Sequence, residues 1–182
     1  MSSKKTVLII CDANLPRAPR VKAAYLALSD EFNFIMAGYL KPDYPDVRFI
    51  ELPRKKKRAK TSVDWHMNWP TIFRKPISAF LKIYLRLKNG KPDNRTIKER
   101  YEHLFEGIQP DLIINHHLNS LELGVSLKNK WNIPLISNLH EYYPREFEDQ
   151  EVWLQYEAPK KIKICQDFLP QADQVPPSLQ GR

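Results

Sequence analysis

Residues 109–138 run QPDLIINHHLNSLELGVSLKNKWNIPLISN. The apolar runs at 109–115 and 133–138 are short and rich in Ile and Leu, as expected of strands buried on both faces. Between them, Asn119 with Glu122 has the spacing of a capping box, which predicts a helix opening there and running through Trp131. A strand, a helix and a second strand within so few residues form a parallel unit, because parallel strands need a crossover of about a dozen residues.

The same alternation extends to both sides. TVLIIC (6–11) reads as a first strand, followed by the loop DANLPRAP. Val21, Ala24, Tyr25 and Leu28 then recur along one helical face, with Pro19 in the first turn. NFIMAGY (33–39) and VRFIEL (47–52) read as the second and third strands, joined by the turn KPDYPD. Two more helices are expected, one through Ile77, Phe80, Leu81, Tyr84 and Leu85 and one through Ile97, Tyr101, Leu104, Phe105 and Ile108. After residue 150, EVWLQYEA and KIKICQDFL read as helical, interrupted at Pro159. The pattern predicts an α/β fold: a single doubly wound, mostly parallel sheet with helices on both faces. One domain over 1–175 and an irregular tail over 176–182 are expected.

Composition narrows the function without naming it. The chain has 182 residues, 42% of them hydrophobic, which suits one domain with a real core. Its formal net charge of +8 favours a polyanionic partner: nucleic acid, anionic lipid or a phosphorylated substrate. Two cysteines, Cys11 and Cys165, provide neither a zinc motif nor a disulfide framework and point to a reducing cytoplasm. No apolar stretch approaches the ~18 residues of a spanning helix, and the N-terminus lacks the pattern of a signal peptide.

In a doubly wound sheet, ligands bind beyond the carboxyl ends of the strands. The loops at 12–18, 115–120 and 138–149 are therefore the candidate site. The first carries Asp12, Asn14, Arg17 and Arg20, with both arginines near a helix N-terminus that attracts anions; surface pairing of these arginines is the competing reading. No G-x-G-x-x-G or G-x-x-x-x-G-K-[ST] motif is present. The second loop carries His116 and His117, which point opposite ways in extended chain, so one at most faces a given cleft. Either can donate to a substrate oxygen or exchange a proton near neutral pH, or serve as a structural histidine. Adjacent histidines chelate poorly and no third ligand follows at useful spacing, so neither a metal nor a cofactor is expected. In the third loop, NLHEYYPREFED, His140 and Glu141 are expected to line the same crevice, a constellation suited to a sugar bearing a phosphate.

The stretch PDLIINHHLNSLELGVSLKNKWNIPLISNLHEYYPREFED, together with LPRAPRVKAAYLAL at 15–28, resembles the N-terminal domain of family 4 glycosyltransferases of the GT-B fold. The resemblance covers roughly residues 6–175. It implies retaining sugar transfer from a nucleotide-sugar donor to a glycan or lipid-linked acceptor, with this domain binding the acceptor. By that likeness His116 touches the sugar, with His117 as its rival if the loop shifts by one. The loop from Asp12 to Arg20 approaches the acceptor or donor phosphates. The family's donor-binding second domain, with its paired glutamates, has no counterpart in these 182 residues, so the chain alone is expected to be inactive.

One stretch lies outside this scheme. PRKKKRAK carries Lys55, Lys56, Lys57 and Arg58, and Trp65 and Trp69 follow. It reads as a patch peripheral to the inner face of an anionic membrane, as a nucleic-acid patch, or as a solvated loop, with nucleic acid the least favoured. A non-catalytic binding protein docking through this stretch is the alternative to the enzyme domain.

Overall fold

The computed structural model describes residues 4–54, 96–139, 143, 147 and 149–175. Among them, five strands form one sheet in the order β3-β2-β1-β4-β5, and every neighbouring pair is parallel. The strands are β1 (Thr6–Ile10), β2 (Asn33–Gly38), β3 (Val47–Glu51), β4 (Leu112–Asn115) and β5 (Leu135–Ser137). This is the doubly wound α/β arrangement the alternation predicts. The sheet and its helices belong to a unit built from residues 1–53 and 96–182, with 54–95 assigned to a second unit.

Each face of the sheet buries alternate residues of the same strands. Val7 and Ile9 of β1, Phe34 and Met36 of β2 and Ile114 of β4 pack with Val21 and Tyr25 of α1 (Pro19–Leu28). On the other face, Leu8, Ile10, Ile35 and Ile113 pack with Leu121, Leu123, Val125 and Leu127 of α3 (Leu121–Trp131). That face also receives Tyr101 of α2 (Ile97–Tyr101) and Ile164 and Phe168 of α5 (Ala158–Phe168). The short α4 (Glu151–Tyr156) precedes α5. Leu8, Ile9, Ile10 and Ile113 are all fully buried. Strands with no solvent face explain the unbroken apolar runs of the sequence.

Because α1 and α3 lie on opposite faces while β1 and β4 are neighbours, the sheet reverses its winding between these two strands. That is the place where a crevice opens in such folds.

Local departures from the sequence expectation have physical causes. Asn119 and Glu122 do not form a capping box: Ser120 is the N-cap of α3, and the Asn119 side chain instead accepts a hydrogen bond from Lys161 Nζ at 2.7 Å. The capping box stands at α2, where Glu99 N donates to Thr96 Oγ1 and Thr96 N donates to Glu99 Oε2, 2.7 Å apart in the second bond. The helix expected from Ile97 to Ile108 ends at Tyr101, tightens into a 3₁₀ turn over Glu102–Phe105, and turns at Gly107 with φ +70°. The interruption expected at Pro159 is present: one helix ends at Tyr156 and the next opens at Ala158, with Pro159 in its first turn, where a missing N–H is harmless. The helix expected at 77–85 lies outside the described residues.

Candidate functional site

The site begins at the carboxyl end of β1. Beyond Ile10, Cys11 N donates to Ala37 O at 3.0 Å, and Tyr39 N donates to Ala13 O at 2.9 Å. The loop is thereby stitched to β2 rather than left as free coil. Asn14 forms an isolated parallel bridge with Leu40, and Leu15 is buried beneath the end of β2. A 3₁₀ turn, Leu15–Arg17, then hands the chain to Pro19 at the start of α1. Arg17 and Arg20 flank this junction, and both are exposed.

The loop after β4 is fixed by buried polar groups. Asn115 and Ser120 are both fully enclosed. Asn115 Nδ2 donates to the His117 carbonyl at 2.7 Å, and Ser120 Oγ lies 2.7 Å from Asn115 Oδ1 and 3.0 Å from the same carbonyl. A buried amide with both ends paired holds its loop in one conformation, because breaking either bond strands a desolvated group. These two residues are the part of the site that the sequence reading passed over. A polar pair five apart, bracketing the histidines at a strand end, is the signal that was available.

The two histidines border different clefts, both of them beside α1. His116 is fully buried and borders a cleft of about 260 Å³ on the α1 face, with Ala24, Ile114, Ile136 and Asn138. His117 borders a second cleft, of about 290 Å³, with Cys11, Ala13, Arg17, Arg20 and Val21. Its side chain is 30% exposed, and its Nδ1 lies 3.0 Å from Oδ1 of Asp12, a carboxylate only 8% exposed. The register explains this pairing. Ile10 is opposite Asn115, so two residues further along each strand Asp12 comes opposite His117.

Cys11 shares the second cleft but is not a nucleophile near neutral pH. Burial, reinforced by the Asp12 carboxylate, pushes its thiol from 9.0 up to about 12, against a small opposing effect of the Ala13 backbone N–H. Among the described residues, no group of three His, Cys, Asp or Glu side chains gathers in a way that would hold a metal ion.

The structure thus brings Arg17, Arg20 and His117 to one cleft, with Asp12 against His117, and sets His116 in another. Asn14 stands at the rim as a backbone bridge. His140 and Glu141 lie outside the described residues, as do Lys55, Lys56, Lys57, Arg58, Trp65 and Trp69. The neighbouring Tyr143 is buried, with Lys161 Nζ 5.4 Å from its ring centre. Among the described residues, no helix is long and apolar enough to cross a membrane. In comparisons with known proteins, no protein-family model matches this chain and no curated protein matches it.

Proposed function

We propose that this chain is the acceptor-binding half of a retaining, nucleotide-sugar-dependent glycosyltransferase. The observation that carries the reading is the cleft at the winding reversal. A paired imidazole at the end of β4 and two arginines from the β1–α1 junction line one pocket there. The chemistry suits a phosphorylated sugar or polyol. Guanidinium groups beside a helix N-terminus hold the anion, and an imidazole at neutral pH accepts or donates a proton at a hydroxyl. His117 is assigned that contact, because its side chain is 30% exposed beside Arg17 and Arg20 while His116 is fully buried. The donor nucleotide belongs to a second Rossmann domain.

The test joins this chain to the donor-binding domain of a retaining transferase and measures transfer of a labelled sugar, with the anomer read by NMR. Transfer with retention is expected, and His117→Ala is expected to lower it about 100-fold, the usual size of a lost proton-transfer or polar contact. Binding of sugar phosphates or anionic vesicles without transfer would sink the enzymatic reading and leave a non-catalytic anion-binding module.

A further inference from the structure

The turn that follows His117 has two ways to meet the helix behind it. Asn119 and Glu122 carry the spacing of a capping box, which places the Asn119 side chain to accept from the first amides of α3. The structure shows the other arrangement. Asn119 lies inside the 3₁₀ turn Leu118–Ser120, and its Oδ1 accepts from Lys161 Nζ of α5 at 2.7 Å. An N-cap residue has extended backbone, so the wound turn and an Asn119 cap exclude each other. The choice reaches His117. In the wound turn Ser120 N donates to the His117 carbonyl at 3.2 Å, and Asn115 Nδ2 donates to the same oxygen at 2.7 Å. Unwinding at Asn119 carries Ser120 away from that carbonyl. Lys161 is held in place to decide between the two: its Nζ also lies 5.4 Å from the centre of the buried Tyr143 ring, within cation–π range. Its neighbours Lys160 and Lys163 instead pair locally, with Glu157 and Asp167.

We propose that Lys161 is a positioning residue of the candidate site. By occupying Asn119 Oδ1 it keeps the 118–120 turn wound, and the wound turn holds the His117 carbonyl and so sets where His117 stands at the cleft. Lys161 acts from α5 through Asn119 and does not touch the ligand. The proposal rests on the reading of His117 as the ligand-facing imidazole. It joins α5 to a site otherwise built from the loops after β1 and β4.

Triple-resonance NMR on the full chain tests this. In the wild type the Asn119 Cα and Cβ shifts are expected at helical values, with slow exchange of the Asn115 side-chain amide. In Lys161→Met the Asn119 shifts are expected to move to extended values and the Asn115 amide to exchange faster. Lys161→Arg, which keeps the charge and the donors, is expected to restore both. Adding Asn119→Ala to Lys161→Met removes the competing cap, and protection of the Asn115 amide is expected to return. A lysine that serves only as a tether predicts no such recovery. That result overturns the proposal, as does a Lys161→Met chain with wild-type shifts. Extended values at Asn119 in the wild type overturn it without any variant. Titration with inorganic phosphate, followed at the His117 ring, links the turn to the site. The apparent affinity is expected to fall about fivefold in Lys161→Met, the ratio that a typical cap interaction carries. Phosphate that leaves the wild-type His117 ring untouched would overturn the reading of His117 as ligand-facing, and the loop signals would still decide the role of Lys161.

Discussion

Cys11 and Asp12 are consecutive, yet they are placed for different work. Asp12 turns toward His117, while Cys11 is 1% exposed and its thiol is pushed up to about 12, chiefly by burial. Reactivity follows the thiolate, so Cys11 should resist alkylation by iodoacetamide in the folded chain at pH 8. Cys165, half-buried, should label first, although burial raises its thiol too. Mass spectrometry of the labelled peptides gives the order; equal labelling of both would contradict the burial of Cys11. The same shift carries a sign for stability. The folded thiol keeps its proton above the ordinary value of 9.0, where the unfolded chain loses it. The stabilisation is therefore whole below pH 9 and drains away as pH rises toward about 12. At this scale the sequence was only partly legible. His116 and His117 were visible as polar residues ending an apolar run. Which of them meets Asp12 was not visible, since it depends on β1 and β4 being neighbours in a particular register.

Among the elements, strand positions were the most legible, because fully buried parallel strands leave unbroken apolar runs with sharp ends. Helix boundaries were less so. The Asn119–Glu122 spacing imitates a cap that Ser120 takes, and the real box at Thr96 and Glu99 lacks the preceding apolar cue. Caps are settled by a few hydrogen bonds, and a tertiary partner such as Lys161 redirects them at small cost. The end of β2 shows a constraint that sequence patterns do not carry. A Cβ placed on Gly38 would stand 2.6 Å from Leu15 Cγ and 3.1 Å from the Cys11 carbonyl oxygen. Leu15 is fully buried and cannot swing away, so Gly38→Ala must push the β1–α1 junction outward. A destabilisation of about 2 kcal/mol is expected in urea unfolding. Weaker anion binding at Arg17 and Arg20 should accompany it, because Arg17 ends the turn that Leu15 opens and Arg20 stands in the first turn of the helix that follows. Unchanged stability would mean that the junction is looser than its packing implies.

The sheet of the whole molecule does not stop at β5. Ile136 bridges in parallel to Gln174, Ser137 N donates to Gln174 O at 2.9 Å, and Asp173 N donates to Leu135 O at 2.9 Å. Residues 173–175 therefore occupy the position of a sixth parallel strand. Asp173 sets their register from both sides. One carboxylate oxygen accepts from Leu135 N at 2.7 Å and the other from Lys128 Nζ at 2.8 Å. These bonds, that of Lys128 first, hold its carboxyl below the ordinary 3.8. For an acid with a lowered folded value, the stabilisation is complete above the unfolded value and is lost as pH falls through the folded one. Docking of this segment should therefore persist at neutral pH and weaken only in acid, below the ordinary carboxylate value. In Asp173→Ala it should be weak at every pH. Hydrogen exchange at the Leu135 and Ser137 amides reads this directly, since both donate to residues 173 and 174 and belong to no other strand pair through those bonds. Faster exchange at both amides is expected in Asp173→Ala at pH 7, with the β1 and β2 amides unchanged. Gln174 and Val175 also border the cleft above His116. The variant therefore separates the two histidines: it should disturb the surroundings of His116 and leave those of His117 as in the wild type. Exchange at Leu135 and Ser137 that ignores the substitution would show that the sheet ends at β5, and that Asp173 serves only as an anchor for Lys128.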